Sequence, residues 1–311
     1  MPCSVCGQSG HNIRTCMKHH PTKTHSTMTR EEWKGLWKNR EFIGIVGSID
    51  MLPEGVIQMI GDFLPHKSVG RLSSVNRQLN QDLKEQSKQS KKHAQMWKKH
   101  GIKENDTVLR FSCKKIKDVA SLAGLTSLTE LRIYSNQIQD VAPLAGLTAL
   151  TKLYLVGNQI QDLTPLAGLT ALTELRLYSN QIQDLTPLAG LTTLTYLNLE
   201  SNQIQDVAPL AGLTALTILD LRFNQIQDVA LLAGLTSLTT LVLDSNQILD
   251  VVPLAGLTAL TRLDLHHNQI QDVAPLAGLT ALRELFIGDN QIQDVAPLAG
   301  LIENGCGVYY T

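Results

Sequence analysis

The chain has 311 residues, of which 43% are hydrophobic, and a formal net charge of −1, which fits a folded protein of one to three domains. No run approaches the roughly 18–20 uninterrupted apolar residues of a membrane helix, and the first residues lack the apolar core of a secretory signal. We therefore expect no membrane span and no secretion, and a location in the cytoplasm, the nucleus or both.

The overall charge hides two unlike parts of the chain. Residues 1–101 contain 16 Lys and Arg and 8 Asp and Glu, whereas residues 102–311 contain 11 and 20. The basic part is the better candidate for contacts with phosphate groups or an acidic partner.

Residues 1–18 contain a metal-ligand pattern. Cys3, Cys6, His11 and Cys16 read C-x2-C-x4-H-x4-C, and three thiolates with one imidazole complete the tetrahedral coordination of Zn2+. Because no coordination position stays open, the predicted zinc is structural. The run CSVCGQSGHNIRTC resembles a zinc knuckle of the CCHC type, which implies contact with single-stranded nucleic acid or with a protein. Both partners and a purely structural role stay open.

A basic linker follows at residues 19–49. Trp33 and Trp37 lie four residues apart, which places them on one face of a short predicted helix that begins near Thr29. The expected role of this helix is packing, and a recognition helix is the alternative.

Residues 50–100 are predicted to form a small helical domain. Leu52-Pro53-Glu54 opens a helix with Pro in its first turn, and Ile57, Ile60, Phe63 and Leu64 form an apolar stripe spaced three to four residues apart. Together with the run RLSSVNR at 71–77, these residues resemble an F-box. The resemblance implies that Leu52, Pro53, Glu54, Ile57, Ile60, Phe63 and Leu64 dock the Skp-type adaptor of a cullin–RING ubiquitin ligase.

The rest of the chain repeats with a period of 22. Eight asparagines mark the period, namely Asn136, Asn158, Asn180, Asn202, Asn224, Asn246, Asn268 and Asn290. One unit carries the pattern L-x-x-L-x-x-L-x-L-x-x-N-x-I from Leu125 to Ile138, and a degenerate ninth copy precedes the eight. This skeleton resembles leucine-rich repeats of the 22-residue class, as in bacterial internalins. It implies an α/β solenoid over 101–301 with a parallel inner sheet and protein binding by the concave side.

The spacing within a unit explains this fold. Leu131 and Ile133 lie two residues apart, so both point inward from one short strand, and neighbouring coils bury an apolar edge that no single coil could bury. Each Asn is expected to satisfy backbone groups of adjacent coils. The Pro after it, such as Pro143, predicts a short helical or 3-10 return segment. Trp97 is expected to cover the first coil, and residues 302–311 are predicted to be an irregular tail.

Variation between the copies concentrates at the strand positions that flank the inward leucines. Tyr and Arg recur there, and these residue types dominate binding hot spots; free drift of exposed positions is the alternative. The predicted substrate-binding residues are Arg132, Tyr134, Tyr154, Arg176, Tyr178, Tyr196, Arg222, Phe223 and Phe286.

The order of the parts favours a non-enzymatic receptor. An adaptor-docking module followed by a repeat domain resembles the F-box/leucine-rich-repeat substrate receptors of SCF-type ubiquitin ligases, which bring substrate and ligase together. A nucleic-acid-associated scaffold and a pathogen or viral mimic of such a receptor remain alternatives. The sequence contains no P-loop, dinucleotide fingerprint or nucleophile motif, so we expect no enzymatic activity.

Overall fold

The computed structural model describes residues 97, 101–103, 105–112 and 117–310. All of them lie in one compact unit, Ser90–Thr311. The predicted zinc knuckle at 1–18, the linker at 19–49 and the F-box-like segment at 50–100, apart from Trp97, lie outside the described residues.

The described part is built around one ten-stranded parallel sheet in which every strand pairs with the next in the sequence. The predicted parallel sheet of the repeats is thereby confirmed. The strands are β1 (Val108–Ser112), β2 (Glu130–Tyr134), β3 (Lys152–Tyr154), β4 (Glu174–Arg176), β5 (Tyr196–Asn198), β6 (Ile218–Asp220), β7 (Thr240–Val242), β8 (Arg262–Asp264), β9 (Glu284–Phe286) and β10 (Gly307–Tyr309).

The register of the sheet follows directly from the period of 22. Leu131 pairs with Leu153, and Leu153 pairs with Leu175, so identical positions of successive coils stack in columns. Side chains alternate across each strand: Leu131 and Ile133 are fully buried, whereas Glu130, Arg132 and Tyr134 are half-buried on the other side. The inward columns form one continuous core of Leu, Ile and Val along the solenoid, and their burial is the main stabilising contribution.

A ladder of asparagines fastens each coil to the one before it. In the coil of β3, the Nδ2 of Asn158 donates to the carbonyl oxygens of Ile133 and Leu155, and its Oδ1 accepts from the N–H of Ile138. The residue before each Asn adopts a positive φ, as in Ser135 at 51° and Gly157 at 63°. The predicted role of the asparagines, satisfaction of backbone groups between coils, is therefore observed.

The return segments are 3-10 helices, as the prolines predicted. Nine such helices occur in the described residues, at Ala120–Leu122, Ala142–Leu144, Thr164–Leu166, Thr186–Leu188, Ala208–Leu210, Ala230–Gly234, Val252–Gly256, Ala274–Gly278 and Ala296–Leu298. An aspartate two residues ahead accepts from the first N–H, as Asp140 Oδ1 does from Ala142 at 2.7 Å. Exposed glutamines link neighbouring coils beside them, as in Gln161 to Gln181 at 2.8 Å.

Trp97 packs against the first coil. Its Nε1 donates to the carbonyl oxygen of Ser121 at 2.6 Å, and its ring lies against the hydrophobic core. This is the position that the sequence predicted for a residue covering the start of the solenoid, although the predicted domain boundary at 101 placed Trp97 on the other side.

The end of the chain is more regular than the sequence predicted. A short helix, α1 (Ala299–Glu303), continues the last return segment, and β10 extends the sheet along β9. The expected irregular tail at 302–311 is therefore replaced, up to Tyr310, by ordered backbone. Gly305, at φ 85°, supplies the left-handed residue that turns the chain from α1 into β10.

Candidate protein-binding surface

The outward positions of β1–β9, together with the outward side chains among the three residues after each of β2–β9, form a continuous surface, called here the strand face. Its columns hold the side chains that vary between coils, since the inward columns are nearly constant. In the column of Arg132, for example, successive coils carry Tyr154, Arg176, Asn198 and Asp220. The fold therefore fixes where these side chains stand and leaves their identity free.

An alternating ladder of arginine and tyrosine crosses β2–β5. The guanidinium carbon of Arg132 lies 4.4 Å from the ring centre of Tyr154, and Arg176 lies 4.9 Å from the same ring on the other side. Arg176 also lies 4.5 Å from the ring of Tyr196. Each cation–π contact contributes about 0.5–1 kcal/mol at a partly exposed site. The ladder is therefore held in place before any partner arrives.

Two glutamates fix the arginines from the adjacent column. Glu130 accepts from Arg132 Nε at 2.6 Å, and Glu174 accepts from Arg176 Nη2 at 2.5 Å. The hydrogen bond from Arg132 lowers the pKa of Glu130. Burial alone would raise the pKa of Glu174, but hydrogen bonds from Tyr154 and Arg176 outweigh it and lower the pKa. Both carboxylates are thus charged and paired at neutral pH.

The predicted contact residues of β2–β5 differ in accessibility. Tyr154 is only 3% exposed, because Arg132 and Arg176 cover both faces of its ring. These arginines are more accessible than the ring, with side chains that are 28% and 36% exposed. Tyr134, Tyr178 and Tyr196 are half-buried. The structure brings the ring of Tyr134 to 6.3 Å from that of Tyr154.

A second group of predicted residues lies around β6. Arg222 is bound by Asp220, with Nη2 to Oδ2 at 2.5 Å, and lies 3.8 Å from Glu200. Next to it, Phe223 is 51% exposed and adopts a φ of 55°. A bulky residue rarely adopts the left-handed conformation. The equivalent positions in the neighbouring coils are Ser201 and Ser245, so the fold does not require an aromatic side chain there.

The remaining predicted residue, Phe286 on β9, is part of an aromatic stack that the sequence did not predict. The Phe286 ring lies 4.6 Å from that of Tyr309 on β10, stacked at 11°, and 4.5 Å from the guanidinium of Arg262. Tyr309 escaped prediction because β10 follows β9 by 23 residues in register, Gly307 against Glu284, and not by 22. The alternation of Gly307, Val308 and Tyr309 is the signal that could have revealed it.

Two histidines at the end of the strand face have carboxylate partners. His267 lies between Asp244 Oδ1 at 3.0 Å and Asp289 Oδ2 at 3.1 Å, and His266 lies 3.3 Å from Asp264. Among the described residues, no group of three or more His, Cys, Asp and Glu side chains is arranged to hold a metal ion. Cys3, Cys6, His11 and Cys16 lie outside those residues, so the zinc site stays a prediction.

A cavity of about 400 Å³ lies on the side of the return segments. It is lined by Leu231 and by glutamines that link neighbouring coils, called here the glutamine ladder, including the hydrogen-bonded pairs Gln205–Gln225 and Gln227–Gln247.

In the described part of the chain, no helix has the length and apolar character needed to cross a bilayer.

The repeats match a known family of proteins. The family model "Leucine Rich repeats (2 copies)" matches residues 126–168, 148–190, 170–212, 192–234, 214–256 and 258–300, which together exceed half of the chain. No curated protein matches the chain significantly.

Several solved structures share the fold. An internalin (inlF) from Listeria monocytogenes is 36% identical, with a TM-score of 0.58 over 67% of this chain and 67% of that one. An internalin C2 (inlC2) from the same species is 38% identical, with a TM-score of 0.50 over 66% and 80%. The ectodomain of the plant receptor kinase GASSHO1/SCHENGEN3 from Arabidopsis thaliana, solved in complex with CASPARIAN STRIP INTEGRITY FACTOR 2, is 22% identical, with a TM-score of 0.50 over 60% and 27%; this likeness shows the fold alone.

The parallel sheet, the asparagine ladder and the variable strand face define a solenoid module of stacked coils. The chain belongs to the leucine-rich-repeat family. Repeats of this family bind protein partners in general and are typically interaction modules, not enzymes. The prediction of a protein-interaction scaffold with internalin-like repeats is therefore supported.

Proposed function

We propose that the strand face binds a partner protein, with the arginine–tyrosine ladder of β2–β5, the neighbouring Tyr134 and Tyr178, and the exposed Phe223 as its main contacts. One observation carries this proposal: Arg132, Tyr154, Arg176 and Tyr196 are interlocked across four consecutive strands. Because these side chains are already ordered, the strand face loses little side-chain conformational entropy when a partner binds.

The experiment compares two full-length variants with matched surface changes. Tyr134→Ala/Tyr178→Ala removes two half-buried aromatic side chains from the strand face. Gln139→Ala/Gln183→Ala removes two exposed side chains of the glutamine ladder and serves as the control. Proteins captured from a lysate by the tagged chain are quantified by mass spectrometry. We expect specific partners to be lost about tenfold with the tyrosine variant and retained with the control. Partners retained equally by both variants would exclude the strand face.

For the chain as a whole, we propose the role of substrate receptor in an SCF-type ubiquitin ligase. The support is the F-box resemblance at Leu52, Pro53 and Glu54, Ile57, Ile60 and Phe63-Leu64, which lies ahead of the repeats in the sequence. In this role, the helical segment binds the Skp-type adaptor and the strand face binds the substrate protein. Ubiquitin transfer is then promoted by proximity, and the chain itself has no catalytic residue.

This role is tested with purified components. The full chain is mixed with a Skp-type adaptor, and binding is measured by isothermal titration calorimetry. Leu52→Ala/Pro53→Ala should abolish the binding, whereas Tyr134→Ala/Tyr178→Ala should retain it, because the two surfaces act on different partners. Absence of adaptor binding by the unaltered chain would remove the ligase role and leave the protein-binding strand face in place.

A nucleic-acid-associated scaffold is the second candidate. The observations that favour it are the C-x2-C-x4-H-x4-C pattern and the excess of Lys and Arg in residues 1–101. It predicts binding of single-stranded oligonucleotides that weakens steeply as salt is raised. Fluorescence anisotropy with a labelled 20-mer, compared between the unaltered chain and Cys3→Ser/Cys6→Ser, distinguishes it from the ligase role. Anisotropy that does not change on titration with the unaltered chain would rule it out.

A further inference from the structure

The charges on the strand face are divided between its two ends. Over β1–β4 the face carries four cations and two anions, namely Arg110, Arg132, Lys152, Arg176, Glu130 and Glu174. Over β5–β9 and the following turns it carries six anions and two cations, namely Glu200, Asp220, Asp244, Asp264, Glu284, Asp289, Arg222 and Arg262. Arg283, at the entry to β9, lies outside these columns and lowers the negative excess of this end by one charge.

The pKa values of Glu130 and Glu200, one carboxyl group at each end, are shifted in opposite directions. Arg132 lowers the pKa of Glu130 at the positive end. At the negative end, burial raises the pKa of Glu200, and Asp220 and Asp244 add to the rise against the attraction of Arg222.

The strand positions at the centre of the face are uncharged apart from Asp220, which is 5% exposed and paired with Arg222, whereas the turns after them carry Glu200, Arg222 and Asp244. Tyr196, Asn198, Ile218, Thr240 and Val242 occupy the outward positions of β5–β7 that bear no charge. With strands about 4.8 Å apart, β2–β3 and β7–β8 lie roughly 24 Å from each other. This distance exceeds the screening length of about 8 Å at physiological salt, so the charges around β2–β3 and those around β7–β8 act on a partner separately.

We propose that the strand face binds a dipolar protein segment, acidic where it lies over β1–β4, mostly uncharged over β5–β6 and basic where it lies over β7–β9. This inference rests on the proposed protein-binding function and adds the chemistry and the orientation of the partner. A segment of about ten extended residues is long enough to span both ends. A uniformly acidic partner, such as a nucleic acid, is repelled by the second end, and a uniformly basic one by the first.

The test uses two fluorescent peptides of identical composition with the full chain. One peptide has the blocks Glu-Glu-Glu-Glu, Ser-Tyr-Ser-Tyr and Lys-Lys-Lys-Lys; the other alternates Glu and Lys around the same four central residues. We expect the block peptide to bind about tenfold more tightly in low-salt buffer and to lose this advantage as salt is raised. A photocrosslinker on its lysine end should attach to β7–β9, and one on its glutamate end to β1–β3.

A matched double variant separates the charge division from the total charge. Arg110→Glu/Glu284→Lys leaves the net charge of the chain unchanged. It removes the positive excess over β1–β4 and reduces the negative excess at the other end by two charges. Both side chains are accessible, with 64% of Arg110 and 46% of Glu284 exposed. It should lower the affinity for the block peptide at least about fivefold and leave the alternating peptide unaffected. The control Glu303→Lys, on α1, should change neither by more than about twofold.

Three outcomes would overturn the dipolar inference. They are equal binding of the two peptides, binding of neither at about 1 mM, and crosslinks from both peptide ends spread over both ends of the face. If protein partners are nevertheless lost with Tyr134→Ala/Tyr178→Ala, the proposed binding function stands and only the dipolar partner is excluded. If neither experiment depends on the strand face, both proposals fail.

Discussion

The side-chain Nδ2 of Asn180 donates a hydrogen bond to the carbonyl oxygen of Leu155, 25 residues earlier in the chain, at 2.9 Å. The same amide donates to Leu177, and its Oδ1 accepts from the N–H of Ile160. One buried side chain therefore satisfies backbone groups of two coils. Loss of such bonds leaves buried polar groups without partners, which costs more than the bonds themselves contribute.

Replacement of Asn180 by Ala should lower the free energy of unfolding by about 3 kcal/mol. Urea denaturation followed by circular dichroism measures the change. Asn290→Ala is the matched control: its hydrogen bonds are only part-buried, so water can replace the lost partner and the loss should be less than half as large. Equal losses at the two positions would contradict a cost that arises from burial.

Phe223 should stabilise binding at the expense of the fold. Its φ of 55° is a conformation that Gly adopts at the equivalent position 157, at 63°. Phe223→Gly should therefore raise the free energy of unfolding by about 1 kcal/mol, while it weakens partner capture by the strand face. Ser245→Phe, one coil further on, should have the opposite effect on stability. Destabilisation by Phe223→Gly would show that the ring packs to hold the coil together.

Residue patterns that recur in every coil could be predicted, and single departures from them could not. The spacing of Leu131, Ile133 and Asn136 was enough for the strand, the inward direction and the inter-coil hydrogen bonds, because each depends only on nearest neighbours. The sequence also placed Arg132 and Arg176 on the accessible side of the sheet. It could not show that they cover Tyr154, since the pairing of outward side chains depends on rotamers across three strands.

The missing proline of one return segment offers a test of the coil itself. Leu231 is 52% exposed and stands where seven other coils have Pro, in the 3-10 helix Ala230–Gly234. Leu231→Pro should raise the free energy of unfolding by about 0.5–1 kcal/mol, because it restricts the unfolded chain in a conformation that the fold already accepts. Differential scanning calorimetry measures the shift. Pro209→Leu should lower the stability by a similar amount, and a fall with Leu231→Pro would show that this segment differs in backbone from its neighbours.

The predicted zinc knuckle implies that each chain binds one zinc ion. We expect the full chain to carry one Zn2+ bound by Cys3, Cys6, His11 and Cys16, and Cys16→Ser to release it. Atomic emission of the purified protein measures the metal content. Cys306→Ser is the control, since Cys306 is a buried free thiol of the repeat unit and its loss should leave the zinc in place. Metal-free protein purified without chelator would contradict the prediction.

The hydroxyl of Tyr154 links the stability of the ladder to alkaline pH. Burial, with a hydrogen bond to Glu174, raises the pKa of Tyr154 to about 12, above the ordinary value of about 10 in an unfolded chain. A group whose pKa is raised by folding contributes its full stability below the unfolded pKa, and this contribution is lost as the pH rises through the folded pKa. The melting temperature should therefore fall between about pH 10 and pH 12, as ionisation of Tyr154 is held back only in the folded state.

Tyr154→Phe removes this ionisable hydroxyl and should flatten that part of the pH profile. It should also lower the stability at pH 7, because Glu174 loses a hydrogen-bond donor. The control is Tyr178→Phe on the same face, which leaves the hydrogen bond between Tyr154 and Glu174 intact and should keep the slope of the unaltered protein. Thermal unfolding in a pH series gives all three profiles. If Tyr154→Phe falls as steeply as the unaltered chain, Tyr154 is not the group that limits stability in alkali.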